Sequence, residues 1–186
     1  MSHAGTGRSA VLAPGGTYGI DGPLLMYAKL AVSTRGGSTR PVKWELTAGA
    51  DFGQQRAQVV SQVTAAIEES TAATQAPPLL IAKSLGSLSA PVAADRGLVA
   101  VWFTPLLSDE PTVAALRRAT EPFLLAGGTA DQFWDGQTAR SLTPHVVEIE
   151  DADHGLFVPG PLARSAAVLG QVMTAVEDFL DRIVWP

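Results

Sequence analysis

The chain has 186 residues, a formal net charge of −5, 46% hydrophobic and 17% charged residues, and no cysteine. These figures predict one domain burying roughly 70% of its unfolded surface, and they exclude a disordered chain, a disulfide framework and any cysteine chemistry. The acidic balance, with basic residues spread singly or in pairs, argues against a nucleic-acid partner. The three histidines, His3, His145 and His154, are too few and too scattered for a multi-histidine metal cage.

No stretch approaches 18 consecutive apolar residues, so no membrane span is expected, and the N-terminal apolar run is too short for a secretory signal. A soluble, cytoplasmic protein follows as the expectation. In chain order, strands are predicted at 9–14 (SAVLAP), 42–47 (VKWELT), 79–83 (LLIAK), 98–104 (LVAVWFT), 123–126 (FLLA) and 146–150 (VVEIE). Most are continuous apolar runs, the pattern of strands covered on both faces. Helices are predicted between them at 23–34, 52–74, 85–94, 110–120, 131–142 and 162–183. Within 52–74, Val59, Val60, Val63 and Ile67 form a stripe at helical spacing. The segment at 110–120 opens with acids and closes with Arg117 and Arg118, as a helix dipole favours. Repeated strand–helix units with short connections predict an α/β architecture, a doubly wound, mainly parallel six-stranded sheet with helices on both faces. Functional groups are then expected at the carboxyl ends of the strands.

One junction stands out. Leu79-Leu80-Ile81-Ala82-Lys83-Ser84-Leu85-Gly86-Ser87 runs a buried strand directly into a helix, with Ser84 at the turn and small residues two positions away on each side. That pattern fits a nucleophile elbow, and a helix-capping serine equally well. Asp131 follows the fifth strand in Leu125-Ala126-Gly127-Gly128-Thr129-Ala130-Asp131, where it can orient a histidine or cap a helix. His154 follows the sixth strand in Asp151-Ala152-Asp153-His154-Gly155-Leu156, with Gly155 permitting an unusual turn. The order Ser84, Asp131, His154, with gaps of 47 and 23 residues, puts all three on one sheet edge in the Ser…Asp…His order of α/β-hydrolases. The coincidence of three such positions favours a triad over three unrelated structural residues. His145 starts its strand and belongs to the opposite edge, and His3 to a frayed terminus.

An oxyanion hole needs two aimed backbone N–H groups. Leu85, after the presumed nucleophile, supplies one. The loop Pro14-Gly15-Gly16-Thr17-Tyr18-Gly19 supplies the other, through Gly16 or, failing that, Thr17. No Gly-Lys-Ser/Thr ending makes this a phosphate loop, and Gly5-Thr6-Gly7-Arg8-Ser9-Ala10 follows no strand, so no dinucleotide fingerprint is present. Among aromatics near this edge, Trp134 and Phe157 are expected as pocket walls, with Thr17 and Tyr18 as further substrate contacts. Tyr18 aside, the rest (Met26, Trp102, Phe103) read as core. Lys83 reads as a surface lysine. The acids Glu148, Glu150, Asp151 and Asp153 read as a solvated strand end rather than a metal site.

The stretches VLAPGGTYGIDGPLL, LLIAKSLGS, FLLAGGTADQFWD and DADHGLF resemble those of small, lidless α/β-hydrolases, in particular compact bacterial members related to the KANL3/Tex30-like group. The resemblance spans nearly the whole chain. It implies Ser84 as nucleophile, Asp131 as triad acid and His154 as base. Two positions depart from it: Pro14 stands where many lipases and esterases carry the His of an HG motif, and Ala82 replaces the first Gly of G-x-S-x-G. The expected activity is a serine hydrolase acting on a carboxylic ester or thioester, through residues 1–186 as a single domain with no cap. No metal or organic cofactor is required. The expected partner is a small-molecule or carrier-bound acyl substrate, with no nucleic acid and no membrane; oligomeric state is left open. The competing expectations are a non-catalytic binding or scaffold protein on the same fold, or a lyase, cyclase or acyltransferase using the same elbow.

Overall fold

The computed structural model describes residues 7–186, and His3 and the start of the Gly5–Ala10 segment lie outside that range. Six strands form one sheet: β1 (Ser9–Ala13), β2 (Ser38–Pro41), β3 (Leu79–Lys83), β4 (Ala100–Phe103), β5 (Phe123–Gly128) and β6 (Val146–Ile149). Their order is β2-β1-β3-β4-β5-β6, and every pairing is parallel. The central strands β1, β3, β4 and β5 are buried at every residue, which explains why they read as continuous apolar runs. Their period-2 alternation is therefore expressed in which core each side chain enters, not in whether it is buried.

Helix α1 (Pro23–Thr34) and α6 (Leu162–Phe179) cover one face. Leu24, Leu25 and Val32 of α1 and Val168, Val172 and Val176 of α6 close over Leu12, Ile81, Val101, Phe103 and Leu124. Helices α2 (Phe52–Thr74), α3 (Ala90–Arg96), α4 (Glu110–Arg118) and α5 (Gly136–Leu142) contribute to the other. There Val59, Val63 and Ile67 of α2 meet Val11, Leu80, Trp102 and Leu125. Long α2 starts at a capping box: Asp51 accepts from the Gln54 amide at 2.8 Å, and the Gln54 side chain accepts from the Asp51 amide at 3.0 Å.

The chain leaves β1 in one direction along the sheet to β2, then returns to build β3 to β6 on the other side. The reversal opens a crevice between the carboxyl ends of β1 and β3, the position where open parallel sheets hold their ligands. The loop after β1 carries Gly15 and Gly16, and the turn after β3 begins at Ser84. Both therefore open into this crevice.

Several predicted elements are revised. The second strand lies at 38–41 instead of 42–47. Val42 adds one further bond to Leu12, but beyond it the amides of Glu45 and Thr47 go to the side chains of Gln62 and Gln58, and Trp44 donates to the Pro14 and Gly15 carbonyls. The alternation of 42–47 thus serves a loop pinned to α2, and the short edge strand closes on Pro41. The helix expected at 131–142 begins only at Gly136, capped by Asp135 instead of Asp131. The junction after β3 is also tighter than an α-helix: Ser84–Ser89 form a 3-10 turn before α3. Ser87 Oγ donates to the Ser84 carbonyl and Ser89 Oγ to the Gly86 carbonyl, both at 2.6 Å, which satisfies this turn from within. The last helix ends at Phe179 and continues as a π-turn, Leu180–Val184.

Gly86 sets how closely this turn meets β1. A Cβ at Gly86 would fall 2.5 Å from the Ala13 carbonyl oxygen and 3.0 Å from its carbon, both backbone atoms that cannot swing aside. Gly86→Ala is expected to lower stability by about 1–3 kcal/mol, the usual cost of overpacking, with a lower urea midpoint and an unchanged m-value. A midpoint equal to the parent's would show that the turn has room to spare.

Candidate active site

Ser84 sits at φ +49°, in the left-handed region that a non-glycine residue adopts only when its surroundings impose it. Lys83 before it is extended, at φ −125° and ψ 134°, so the chain reverses within one residue. The small residues expected around the elbow are in place for steric reasons. Ala82 is fully buried in the sheet, Gly86 touches β1, and a Cβ at Gly15 would lie 3.6 Å from that of Ser84. Ser87 locks the next strand end onto the turn by accepting from the Leu106 amide at 3.0 Å.

His154 arrives from the loop after β6. Asp153 shapes this loop, its Oδ1 accepting from the Gly155 amide at 2.7 Å and the Phe157 amide at 3.0 Å. The unusual backbone expected at Gly155 falls instead on Asp151 (φ +57°) and Leu156 (φ +60°). Gly155 supplies room: a Cβ there would meet the Phe157 ring at 2.7 Å. Asp131 lies three residues beyond β5, and its side chain is fully buried. Its Oδ1 accepts from the Phe133 amide at 2.9 Å, leaving Oδ2 for the histidine.

The structure brings the three residues together. His154 Nδ1 lies 2.7 Å from Asp131 Oδ2, and His154 Nε2 lies 2.7 Å from Ser84 Oγ. A carboxylate can only accept, so Nδ1 carries the proton and donates, and Nε2 is left to accept from the serine hydroxyl. Phe133 meets the imidazole edge-on, with centroids 5.0 Å apart and planes at 66°. His145, by contrast, lies before β6 and meets Phe179 edge-on, with centroids 5.2 Å apart, at the opposite end of the sheet.

Ser84 opens onto two connected depressions. One, of about 410 Å³, is lined by Gly16, Thr17, Phe52, Leu85, Leu106, Ser108, Asp109 and Phe133. The other, of about 210 Å³, is lined by Gly15, Gly16, Thr17, Tyr18, Lys83, His154 and Gly155. Gly16 and Leu85 therefore flank the serine, while the Gly15 amide is committed to the Tyr18 carbonyl at 3.0 Å. Tyr18 also borders an apolar cavity of about 250 Å³ with Leu24, Leu156, Phe157 and Leu169. Its hydroxyl accepts from the Leu24 amide at 2.8 Å, and burial holds its phenol above the ordinary value.

Thr17 and Tyr18 line the smaller depression beside Ser84. Phe157 walls the neighbouring apolar cavity instead. Trp134 departs from the expected pocket wall: its ring covers Gly127 of β5, and its indole N–H donates to Glu148 at 2.8 Å. The absence of a Cβ at Gly127 is what lets it lie there. Glu148 also holds Arg140 at 2.9 Å, so this acid is partnered by protein groups. Sequence reasoning missed Phe133, Leu106, Phe52 and Asp109 as cleft residues. Phe133 could have been found from its place two residues after Asp131; the others come from distant loops. Lys83 is the largest correction. It is 2% exposed, because β3 is buried to its last residue.

No protein-family model and no curated protein matches the sequence. Solved structures do. An α/β serine hydrolase homologue from Coxiella burnetii superposes with a TM-score of 0.72 at 15% identity, over 94% of this chain and 86% of that one. An α/β serine hydrolase without a lid from Xanthomonas campestris gives 0.67 at 17% identity, over 95% and 82%. Est1E from Butyrivibrio proteoclasticus, with ferulic acid bound, gives 0.72 at 12% identity, over 96% and 90%. The chain has the α/β-hydrolase fold.

Asp109 joins the cleft to the scaffold. It caps α4 by accepting from the Thr112 amide at 2.9 Å and pairs with Arg56 at 2.6 Å. Burial raises its carboxyl, but the bonds from Thr112 and Arg56 outweigh this and hold it below the ordinary 3.8. A depressed folded value means stability present above the unfolded value and lost as pH falls through the folded one. Asp109→Asn, which can still cap, is expected to be less stable than the parent at neutral pH. In urea titrations that gap should shrink as pH is lowered to about 3; a gap independent of pH contradicts the assignment.

Proposed function

We propose that the protein is a serine hydrolase that cleaves a carboxylic ester or thioester through an acyl-enzyme on Ser84. The observation that carries the reading is the continuous relay from Ser84 Oγ through both nitrogens of His154 to Asp131, with both contacts at 2.7 Å. His154 Nε2 takes the hydroxyl proton as Oγ attacks the carbonyl carbon. Asp131 holds the imidazole in the tautomer that can accept it and stabilises the imidazolium that forms. The amides of Leu85 and Gly16 bind the oxyanion, with Thr17 as the alternative second donor. His154 then protonates the leaving alcohol or thiol, activates a water against the acyl carbonyl, and returns the proton to Ser84. No step calls for a metal or an organic cofactor.

The domain reading belongs to the same proposal: residues 1–186 form one hydrolase domain without a cap. It is supported by the connections between strands, whose helices are packed on the sheet and leave the serine cleft open. An open cleft suits a small acyl substrate or an acyl group presented by a larger carrier. Similarity to Est1E, whose structure holds ferulic acid, a carboxylic acid, supports a substrate with a carboxylic acyl group. Among the described residues no helix is long and apolar enough to cross a membrane, which is consistent with a substrate met in solution.

Turnover of short-chain p-nitrophenyl esters and acyl thioesters tests the reading. Ser84→Ala is expected to abolish turnover, and Asp131→Asn to lower kcat by about a thousandfold or more, because its amide favours the wrong imidazole tautomer. Turnover by Ser84→Ala at the parent rate removes Ser84 as nucleophile. A parent protein inert toward every ester and thioester favours the scaffold reading. Acyl transfer to added alcohols in preference to water favours an acyltransferase.

A further inference from the structure

Lys83 is a buried cation for which the proposed reaction has no use, and its contacts converge on the groups that react. Its Nζ donates to Thr104 Oγ1 and to the backbone carbonyl of His154, each at 3.0 Å. The Tyr18 ring lies 4.6 Å away, within cation–π range. Lys83 also lines the depression beside Ser84.

Each partner belongs to a segment whose backbone needs holding. Lys83 itself precedes Ser84, at φ +49°. Thr104 directly follows β4 at φ +40° and is fully buried. The His154 loop passes through Leu156 at φ +60°. Tyr18 belongs to the glycine loop that flanks the serine. One side chain thus ties together the elbow, the end of β4, the histidine loop and the glycine loop. Three of these four segments carry non-glycine residues in the left-handed region, a conformation that persists only where the surroundings over-determine it.

We propose that Lys83 is a positioning residue for the reaction: its ammonium holds the His154 carbonyl to the elbow and so keeps the imidazole within reach of Ser84 Oγ. This rests on the reading of Ser84, His154 and Asp131 as catalytic. The tether grips the backbone at both reacting residues, being adjacent to Ser84 in the chain and bonded to His154 itself. A displacement of about 1 Å between such groups is enough to cost roughly a hundredfold in rate.

Burial pushes the Lys83 amine down to about 8, against the pull of the Asp131 and Asp153 carboxylates. Above that pH its charge-assisted hydrogen bonds become neutral ones of roughly half the strength. The other ionisable groups facing it are Asp131, Asp153, His154 and Tyr18. The Tyr18 phenol is held above its ordinary value of 10.0. An alkaline limb near pH 8 therefore belongs to Lys83. The sign for stability is opposite. Between about 8 and the ordinary lysine value of 10.5, the unfolded chain binds more protons at this group, so its contribution to stability rises with pH. A rate that falls in this window is then not a loss of fold.

The test uses the full chain and the rate constant for labelling by a fluorophosphonate probe, corrected for probe hydrolysis, from pH 6 to 10. The parent rate is expected to fall about threefold or more above pH 8 while its urea midpoint does not fall. Lys83→Met is expected to label about tenfold slower or worse at pH 7 and to show no alkaline limb. Labelling of Lys83→Met within twofold of the parent, or a parent profile flat to pH 10, overturns the proposal. If Lys83→Met does not fold, the parent profile decides alone. Ser84→Ala separates the two readings: if it still labels, the nucleophile assignment fails; if it is silent and Lys83→Met labels normally, only the role of Lys83 fails.

Discussion

The close approach of the Ser84–Ser89 turn to the end of β1 is the constraint from which the rest of the site follows. With Gly86 seated against the Ala13 carbonyl, the chain cannot leave β3 along a relaxed path. It must reverse at Ser84, which places that residue at φ +49° and lifts it into the crevice where the strand order turns back. The same approach puts Leu85 beside Gly16, so that the loop after β1 and the turn after β3 share one cleft. At the amino edge of the sheet, by contrast, His145 rests on Phe179.

Strain gathers where chemistry is proposed. Ser84, Thr104, Asp151 and Leu156 are all non-glycine residues at positive φ, and all follow strand ends at the carboxyl edge. Such positions cost of order 1–3 kcal/mol each and survive only within a stiff frame. The frame here is the four buried central strands below and a set of polar ties above: Ser87 to Leu106, Asp153 to its own loop, and Lys83 to Thr104 and the His154 carbonyl. A preorganised relay follows from that stiffness, because both of its 2.7 Å contacts join different loops.

Much of this was legible in the sequence. Runs such as LLIAK and FLLA have the pattern of strands buried on both faces, and their alternation with amphipathic segments pointed to a doubly wound sheet. Once the sheet was parallel, Ser84, Asp131 and His154 had to share an edge, since each follows a strand. Less legible were features set by tertiary partners. Residues 42–47 alternate as a strand does, yet their amides go to Gln58 and Gln62 of α2. Trp134 follows Asp131 closely, yet turns away because Gly127 leaves a seat for its ring. Lys83 was misread for a different reason. A lysine after a buried strand looks like an exit to solvent, and only the surrounding acceptors reveal that its charge is held inside.

The exposed serine cleft suits the proposed hydrolase, whose acyl group would be met at the surface. The central claim is that Ser84 itself becomes acylated, and trapping that intermediate tests it most directly. The protein would be mixed with an activated short-chain ester, quenched in acid within its first turnovers, digested with trypsin and mapped by tandem mass spectrometry. One acyl group is expected on Ser84, absent from Ser87 and Ser89 of the same peptide and lost again when hydrolysis is allowed to finish. Turnover with no acylated peptide, or with the acyl group on another residue, would contradict it.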